Sequence, residues 1–192
     1  MPPCLDVYVL SHLRQLEAVE HFIGEFSGSA LTDDRTGEEL MLLPRGAQHE
    51  PTRPEEYEWQ PITTLREAAR RGLDHPYRAF RIYLKPGNPG FYQAMLGFRE
   101  DGDVVFGVSI DDVDESDDSL KLAKSLLARL ADEYDGLAGF VAWEVPAPLV
   151  GAGFPPPGQG RVLFTWQRDA LDGSPNPSLQ RTLPGRSPGQ RR

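Results

Sequence analysis

Apolar and polar residues alternate along two neighbouring stretches, residues 92–99 and 104–110, in the middle of the chain. A period of two predicts two β-strands. A two-residue loop at Asp101 and Gly102 would set Phe98 against Val105 and Leu96 against Gly107, and would leave the apolar face without matching partners. A three-residue loop, Glu100 to Gly102 with Gly102 in the left-handed conformation, instead gives four apolar pairs and places Arg99 opposite Asp103. The four pairs are Phe98–Val104, Leu96–Phe106, Ala94–Val108 and Tyr92–Ile110.

The longest helical pattern follows this hairpin. Ser116 is a favourable N-cap, and Asp117 and Asp118 fall in the first turn, where free amide groups favour negative charge. Gly136 is the predicted stop. The apolar stripe of this helix consists of Leu120, Ala123, Leu126, Leu127, Leu130, Ala131 and Tyr134.

The remaining patterns complete an α+β fold. Ser11 is the predicted cap of a helix that ends at Gly28, and Thr63 or Thr64 caps a short helix that stops at Gly72. We predict a mainly antiparallel sheet of about five to six strands, with two main helices packed on one face. Residues 1–169 form one domain, and residues 170–192 form a disordered tail rich in Pro, Arg and Ser. The other predicted strands are 5–10, 79–85, 139–145 and 161–168, and the apolar run 40–43 fits a buried strand or an edge element.

Composition narrows the choice of partners. The chain of 192 residues has a formal charge of −9, and its last twenty residues hold four Arg and no acid, so the predicted domain is still more acidic. This charge argues against nucleic acid or an anionic membrane as ligand, and favours either simple solubility or a basic protein partner. The lone Cys4 excludes an internal disulfide, and no segment resembles a signal peptide or a membrane span. We therefore expect a cytoplasmic protein.

Negative charge is concentrated at one place: residues 100–118 contain nine acidic residues and no basic one. A second stretch, residues 55–59, interleaves aromatic residues with carboxylates, a combination that suits the anchoring of a positive surface. The alternative for Trp59 is that it only tucks its loop onto the core. A single docking face requires both stretches to lie on the same side of the fold. The predicted partner-binding residues are Asp111, Asp112, Asp114, Glu115 and Asp118 with Glu55, Glu56, Tyr57, Glu58 and Trp59.

The spacing of residues in this chain does not match the known catalytic and metal-binding motifs. The calcium-loop pattern that begins at Asp112 has Asp117 where Gly is needed and Ala123 where Glu is needed. His21 has Glu17 and Glu25 four residues away on either side, a spacing that fits a metal site or, more simply, solvated pairing along a helix. We predict no catalytic residue, no metal and no cofactor. A hydrolase with a carboxylate-based site and a structural protein without a ligand are the alternatives to a binding module.

Two short segments carry a family resemblance. Tyr-Val-Leu-Ser at residues 8–11 and Phe-Gly-Val-Ser-Ile-Asp-Asp at residues 106–112, in a small acidic α+β chain, resemble immunity proteins of bacterial polymorphic toxin systems. The resemblance spans roughly residues 5–166. It implies a non-enzymatic protein that neutralises a toxin by covering its active site, for which a basic toxin surface would suit an acidic cover.

Overall fold

The computed structural model describes residues 4–27, 39–47, 50–51, 53–62, 64–75, 77–111, 116–146, 148–151, 153–155, 162–168 and 175–176. Within them the chain forms three α-helices, a single 3₁₀ turn at Pro54–Glu56 and one sheet of nine strands. The α+β class is confirmed. The helices are α1 Leu16–Phe26, α2 Leu65–Asp74 and α3 Asp117–Glu133. The strands are β1 Cys4–Ser11, β2 Glu39–Leu42, β3 Glu58–Pro61, β4 Phe80–Leu84, β5 Phe91–Phe98, β6 Val104–Asp111, β7 Gly136–Trp143, β8 Val162–Arg168 and β9 Pro175–Asn176.

The strands pair antiparallel throughout, in the order β3-β2-β4-β5-β6-β1-β7-β8-β9. The predicted meander β4-β5-β6 is confirmed, and β1 lies in the middle of the sheet between β6 and β7. β3 forms one margin. At the other margin the short β9, from the predicted tail, pairs with β8. The rest of that tail lies outside the described residues.

The two faces of the sheet are covered differently. Alternate strand residues, such as Val7, Phe106 and Val141, pack with all three helices in the main core. The opposite face, here called the open face, carries a smaller apolar cluster that includes Tyr8, Met95 and Phe140. This cluster lies under the described residues between 144 and 155, here called the strap.

The predicted hairpin register is confirmed over most of its length. Phe98 pairs with Val104, the Arg99 N–H donates to the Asp103 carbonyl at 3.0 Å, and Gly102 has φ +96°. The register shifts between Phe91 and Gln93, so that Phe91 instead of Tyr92 lies opposite Ile110. The other two predicted apolar pairs, Leu96–Phe106 and Ala94–Val108, form as expected.

Helix starts were predicted better than helix ends. Thr64 and Ser116 cap α2 and α3 through backbone N–H groups three residues on, at 3.1 Å in each case. Ser11 does not cap α1, because that helix begins only at Leu16. The Ser11 hydroxyl, at the end of β1, donates to the Tyr134 carbonyl at 2.5 Å and accepts from the Leu13 N–H at 2.9 Å. Gly72 lies inside α2 and not after it. α3 ends before Gly136, and the left-handed residue there is Asp135 with φ 47°.

The end of α2 is held by Arg14, which sequence patterns do not single out. Its guanidinium donates to the Gly72 carbonyl at 2.8 Å and 2.5 Å and to the His75 carbonyl at 3.2 Å. A third contact, 2.8 Å, reaches the Arg99 carbonyl. Arg14 therefore satisfies the terminal carbonyls of α2 and ties that helix to the hairpin.

Candidate functional site

Acidic side chains meet at the end of the sheet where β6 finishes. Asp111, the last residue of β6, is exposed and pairs with Cys4 of β1. The Glu144 N–H donates to the Cys4 carbonyl at 3.4 Å, which places Glu144 beside the same residue. Burial is the main cause that raises the pKa of Cys4 to about 12, and the charges of Asp6, Glu144 and Asp111 raise it further. Asp111 and Glu144 therefore lie close enough to one thiol to act on it together.

The first turn of α3 adds two more carboxylates to this end. β7 begins at Gly136, opposite Ser11, which is the far end of the sheet from Asp111. A helix of 17 residues is roughly 25 Å long, about the length of an eight-residue strand, so α3 starts at the end where β6 finishes. We call Asp111, Asp117, Asp118 and Glu144 the acidic end.

The carboxylates of the acidic end are mostly in solvent. Asp111, Asp117 and Asp118 are all exposed. Asp118 pairs with Lys121 at 2.8 Å, but the two side chains are 89% and 76% exposed, and such a surface pair contributes little. The other predicted residues of this stretch, Asp112, Asp114 and Glu115, lie outside the described residues.

The second predicted stretch, residues 55–59, lies at the opposite end of the strands. A continuous row of paired residues joins Glu58 to Val104, whereas Asp111 is seven residues further along β6. Seven residues correspond to roughly 24 Å along the strands, and four strand spacings add roughly 19 Å sideways. The two stretches are thus about 30 Å apart and do not form the single face that was predicted. The row consists of Glu58–Leu42, Leu42–Phe80, Phe80–Phe98 and Phe98–Val104.

Several side chains in residues 55–59 make contacts within the protein, so this stretch is not a freely exposed binding segment. Glu55 and Glu56 are exposed on the 3₁₀ turn, but Glu58 pairs with Arg78 at 2.5 Å. The Tyr57 hydroxyl donates to the Pro51 carbonyl at 3.0 Å, and its ring packs on a small apolar cluster. Trp59 in β3 stays 47% exposed. Tyr57, and not Trp59, is therefore the residue that tucks this segment onto the core.

Sequence patterns missed Glu144 as a member of the acidic end. The alternation over 139–145 places it on one face of a strand, but β7 stops at Trp143 and Glu144 has φ 46°. This left-handed conformation turns the chain out of the sheet and into the strap. The turn depends on contacts between the strap and the open face, which are remote in sequence.

One carboxylate is buried on the open face. Asp6, 5% exposed, accepts hydrogen bonds from the Ser109 hydroxyl at 2.6 Å and from the Val145 N–H at 3.0 Å. Burial raises the pKa of Asp6 from 3.8 to about 6, although hydrogen bonds from Ser109, Val145 and Cys4 act in the opposite direction. Asp6 thus has a raised pKa of the kind that is common at functional sites.

Two connected cavities lie near α2, at the other end of the sheet. Their volumes are about 450 Å³ and 200 Å³, and both are lined by Arg45, His75 and Arg78. Asp74 and Glu100 line the larger cavity, while Arg78 is paired with Glu58 outside it. The larger cavity thus has two Arg and two acidic residues in its lining, whereas the smaller one is lined by Arg45, Arg71 and Arg78 and by no acidic residue. Arg71 is paired with Glu67 outside the lining. Asp6 lines neither cavity.

Among the described residues, one cluster has the composition of a metal site. The ligand atoms of His21, Glu25 and Glu133 all lie within 4.8 Å of one another. Arg129 already pairs with both carboxylates, reaching Glu133 at 3.5 Å and lying against Glu25. The cluster therefore contains its own counter-charge, and Glu17, which the sequence placed equally close to His21, is not part of it.

Comparison with protein-family models, with curated proteins and with solved structures finds no match to this chain. The resemblance to immunity proteins accordingly stays a prediction. None of the helices in the described part of the chain is long and apolar enough to cross a bilayer.

Proposed function

We propose that this protein is a non-enzymatic binding module that presents its acidic end to a basic protein partner. The observation that carries the proposal is that Asp111 at the end of β6, Asp117 and Asp118 at the start of α3, and Glu144 after β7 all lie at one end of the sheet. An immunity-type role, in which this end covers the basic surface of a toxin, fits both the charge and the sequence resemblance. The exposed aromatic residue Trp59 is about 30 Å away and is not included in this surface.

Charge complementarity of this kind mainly increases the association rate constant. Exposed carboxylates at one end attract a basic surface over roughly a Debye length and orient it before contact, which raises the association rate constant. The overall formal charge of −9 adds a general attraction for cationic proteins. A specific docking face must therefore be separated from the effect of net charge alone.

The alternative, a hydrolase with a carboxylate-based site, needs a carboxyl of shifted pKa inside a cavity. Among the described residues these two properties lie apart. Asp6 has the raised pKa but is buried under the strap, whereas Asp74 and Glu100 line the larger cavity at the other end of the sheet. Asp6 lines neither of the two cavities near α2.

The test compares two variants of equal charge. The first replaces Asp111, Asp117 and Asp118 by Asn, and the matched control replaces three exposed carboxylates elsewhere through Glu55→Gln, Glu56→Gln and Asp132→Asn. The partner is a basic protein captured from the native host or encoded in the neighbouring reading frame. Association rate constants are measured by stopped-flow mixing at several salt concentrations, after circular dichroism has shown that both variants fold.

We expect the acidic-end variant to associate about tenfold more slowly at low salt, with a flatter salt dependence. The control, which changes net charge by the same amount, should differ from the wild type by only about twofold. Equal association rate constants for the two variants would show that net charge, and not this end of the sheet, governs binding, and the proposal would then be wrong.

A further inference from the structure

The strap covers an apolar strip on the open face of the sheet. Val145 packs in one cluster with Tyr8, Met95 and Phe140, and the Phe154 ring meets the Phe140 ring edge-on at 4.9 Å. None of the described strap residues belongs to a helix or a strand. The strap is therefore attached by side-chain contacts and single hydrogen bonds, without a ladder of backbone pairs.

Arg99 provides the first attachment. This side chain is 4% exposed, and its guanidinium donates to the Pro148 carbonyl at 2.7 Å and to the Gly151 carbonyl at 3.0 Å. Asp101 holds the guanidinium from the other side at 2.7 Å to 3.1 Å. Burial raises the pKa of Asp101, but its hydrogen bonds and its charge pairing with Arg99 outweigh burial and lower it.

Glu50 provides the second attachment. Its Oε1 accepts a hydrogen bond from the Leu149 N–H at 3.1 Å. Both oxygens of the same carboxylate accept from Arg81 of β4, each at 2.5 Å. Leu149 lies directly on β5, because a Cβ at Gly97 would come within 2.8 Å of its side chain.

Asp6 provides the third attachment, through the hydrogen bond from the Val145 N–H at 3.0 Å. All three attachments have the same form: a charged side chain outside the strap binds a backbone group of the strap. Apart from the hydrogen bond from the Glu144 N–H to the Cys4 carbonyl, the described part of the strap can therefore leave the sheet without breaking a backbone bond to a strand.

We propose that the strap is a releasable cover, held on the open face by Asp6, Glu50 and Arg99, and that its release uncovers the apolar strip beneath it. This inference does not rest on the proposed function, since it needs no partner, although Glu144 belongs both to the strap and to the acidic end. It assigns to these three charged side chains the role of a conformational device.

The protonation state of the Asp6 carboxyl makes release of the strap depend on pH. The groups that face it are Cys4 and Tyr8 on its own strand, Ser109 on β6 and Glu144 on the strap. Burial raises the pKa of Cys4 to about 12 and the pKa of Tyr8 well above its ordinary value, so neither thiol nor phenol titrates near neutral pH.

Release brings water to the Asp6 carboxyl and lowers its pKa towards the ordinary value. The closed state therefore binds the proton more tightly, and acidification from neutral pH towards pH 5 favours closure. Above about pH 6 the buried carboxylate is ionised, and release is favoured.

Amide hydrogen exchange, corrected for the intrinsic effect of pH, tests the proposal on the full chain. The amides of Val145 and Leu149 report on the strap, and amides of the central strand β6 report on global unfolding. We expect the strap amides to be at least about tenfold less protected than those of β6. Protection at Val145 should fall roughly tenfold between pH 5 and pH 7.5. The largest possible effect is about a hundredfold, because release lowers the pKa of Asp6 from about 6 to its ordinary value of 3.8.

Three variants identify the groups responsible. In Asp6→Asn the amide oxygen still accepts from the Val145 N–H, so the strap should close while its pH dependence is lost. Glu50→Gln should expose the Leu149 amide but keep the pH dependence at Val145. Asp132→Asn, an exposed carboxylate on α3, is the control and should change neither.

Two results would overturn the inference. The first is exchange of the strap amides only together with those of β6, because the strap would then be part of the global fold. The second is a wild-type pH dependence in Asp6→Asn, because the proton would then act elsewhere.

Discussion

Asp6 shows how the meaning of a single residue changes once the chain has folded. In the sequence it alternates with Leu5 and Val7 and belongs to the polar side of a strand. In the structure that side is covered by the strap, and the carboxyl is 5% exposed with two hydrogen bonds at 3.0 Å or less. Strand alternation predicts the face of a side chain, but not whether another segment covers that face.

The buried carboxylate predicts an unusual dependence of stability on pH. The folded state raises the pKa of Asp6 from 3.8 to about 6, so it binds this proton more tightly than the unfolded chain does. The resulting stabilisation is fully present below about pH 4 and is lost as the pH rises through 6, with a magnitude of up to about 3 kcal/mol. Asp6→Asn, which cannot ionise, should therefore be about 1–3 kcal/mol more stable than the wild type at pH 8.

Urea unfolding at pH 4 and pH 8 measures this difference, which should nearly vanish at the lower pH. The Asn oxygen can accept from the Val145 N–H and the Asn amide N–H can donate to the Ser109 oxygen, while the Ser109 O–H and the Cys4 S–H lose the acceptor they have in the wild type. A variant that is less stable than the wild type at pH 8 would show that the charged hydrogen bonds outweigh the cost of burying the charge.

At the scale of elements, sequence patterns succeeded where the determinants are local. The hairpin register follows from one loop and one apolar face, and the start of α3 follows from Ser116 and the apolar stripe behind it. The ends of helices were less predictable. The pattern predicts a stop at Gly72, but this glycine lies within α2, where the Phe98 ring occupies the space that a side chain would need. That contact joins residues 26 positions apart, and no local pattern records it.

Two helical glycines provide a matched pair of substitutions. A Cβ at Gly24 of α1 would have nothing within 4 Å, whereas a Cβ at Gly72 of α2 would come within 2.4 Å of the Phe98 ring. Gly24→Ala should raise the free energy of unfolding by about 0.5–1 kcal/mol, through helix propensity and reduced freedom of the unfolded chain. Gly72→Ala should lower it by about 1–3 kcal/mol, because the ring must move.

Chemical denaturation of both variants at one pH measures this contrast. The same substitution in the same type of element makes each variant the control for the other. Equal effects of the two substitutions would mean that the Phe98 ring moves aside at little cost.

At the scale of the whole molecule, strand order decides which residues can act together. The sequence predicts that residues 55–59 and 111–118 lie on one side of the fold, but strand pairing places Glu58 and Asp111 about 30 Å apart. Three strands, β2, β4 and β5, lie between β3 and β6. The alternation in β2 and β3 is too brief to reveal their position in the sheet. The strap brings Glu144 to the acidic end in their place. Charge clustering was thus visible in the sequence, whereas its geometry was not.

Removal of residues 177–192 tests the contribution of the tail. These residues hold four Arg and no acid, so the formal charge changes from −9 to −13. We expect the melting temperature to change by less than about 3 °C, because the main core consists of residues up to Trp166. The salt dependence of association with a basic partner should become steeper, since the truncated protein attracts cations more strongly. Thermal unfolding and stopped-flow mixing measure the two effects, and a large loss of melting temperature would show that the tail is part of the fold.

The composition of β3 affects how the molecule behaves at high concentration. An unpaired strand margin is a template on which a neighbouring molecule can add a strand and begin a fibril. β3 offers only four residues, Glu58–Pro61, of which the first is charged and the last lacks an N–H donor. A second molecule could therefore add a strand only along a short and interrupted edge. This favours a protein that remains dispersed in a crowded solution.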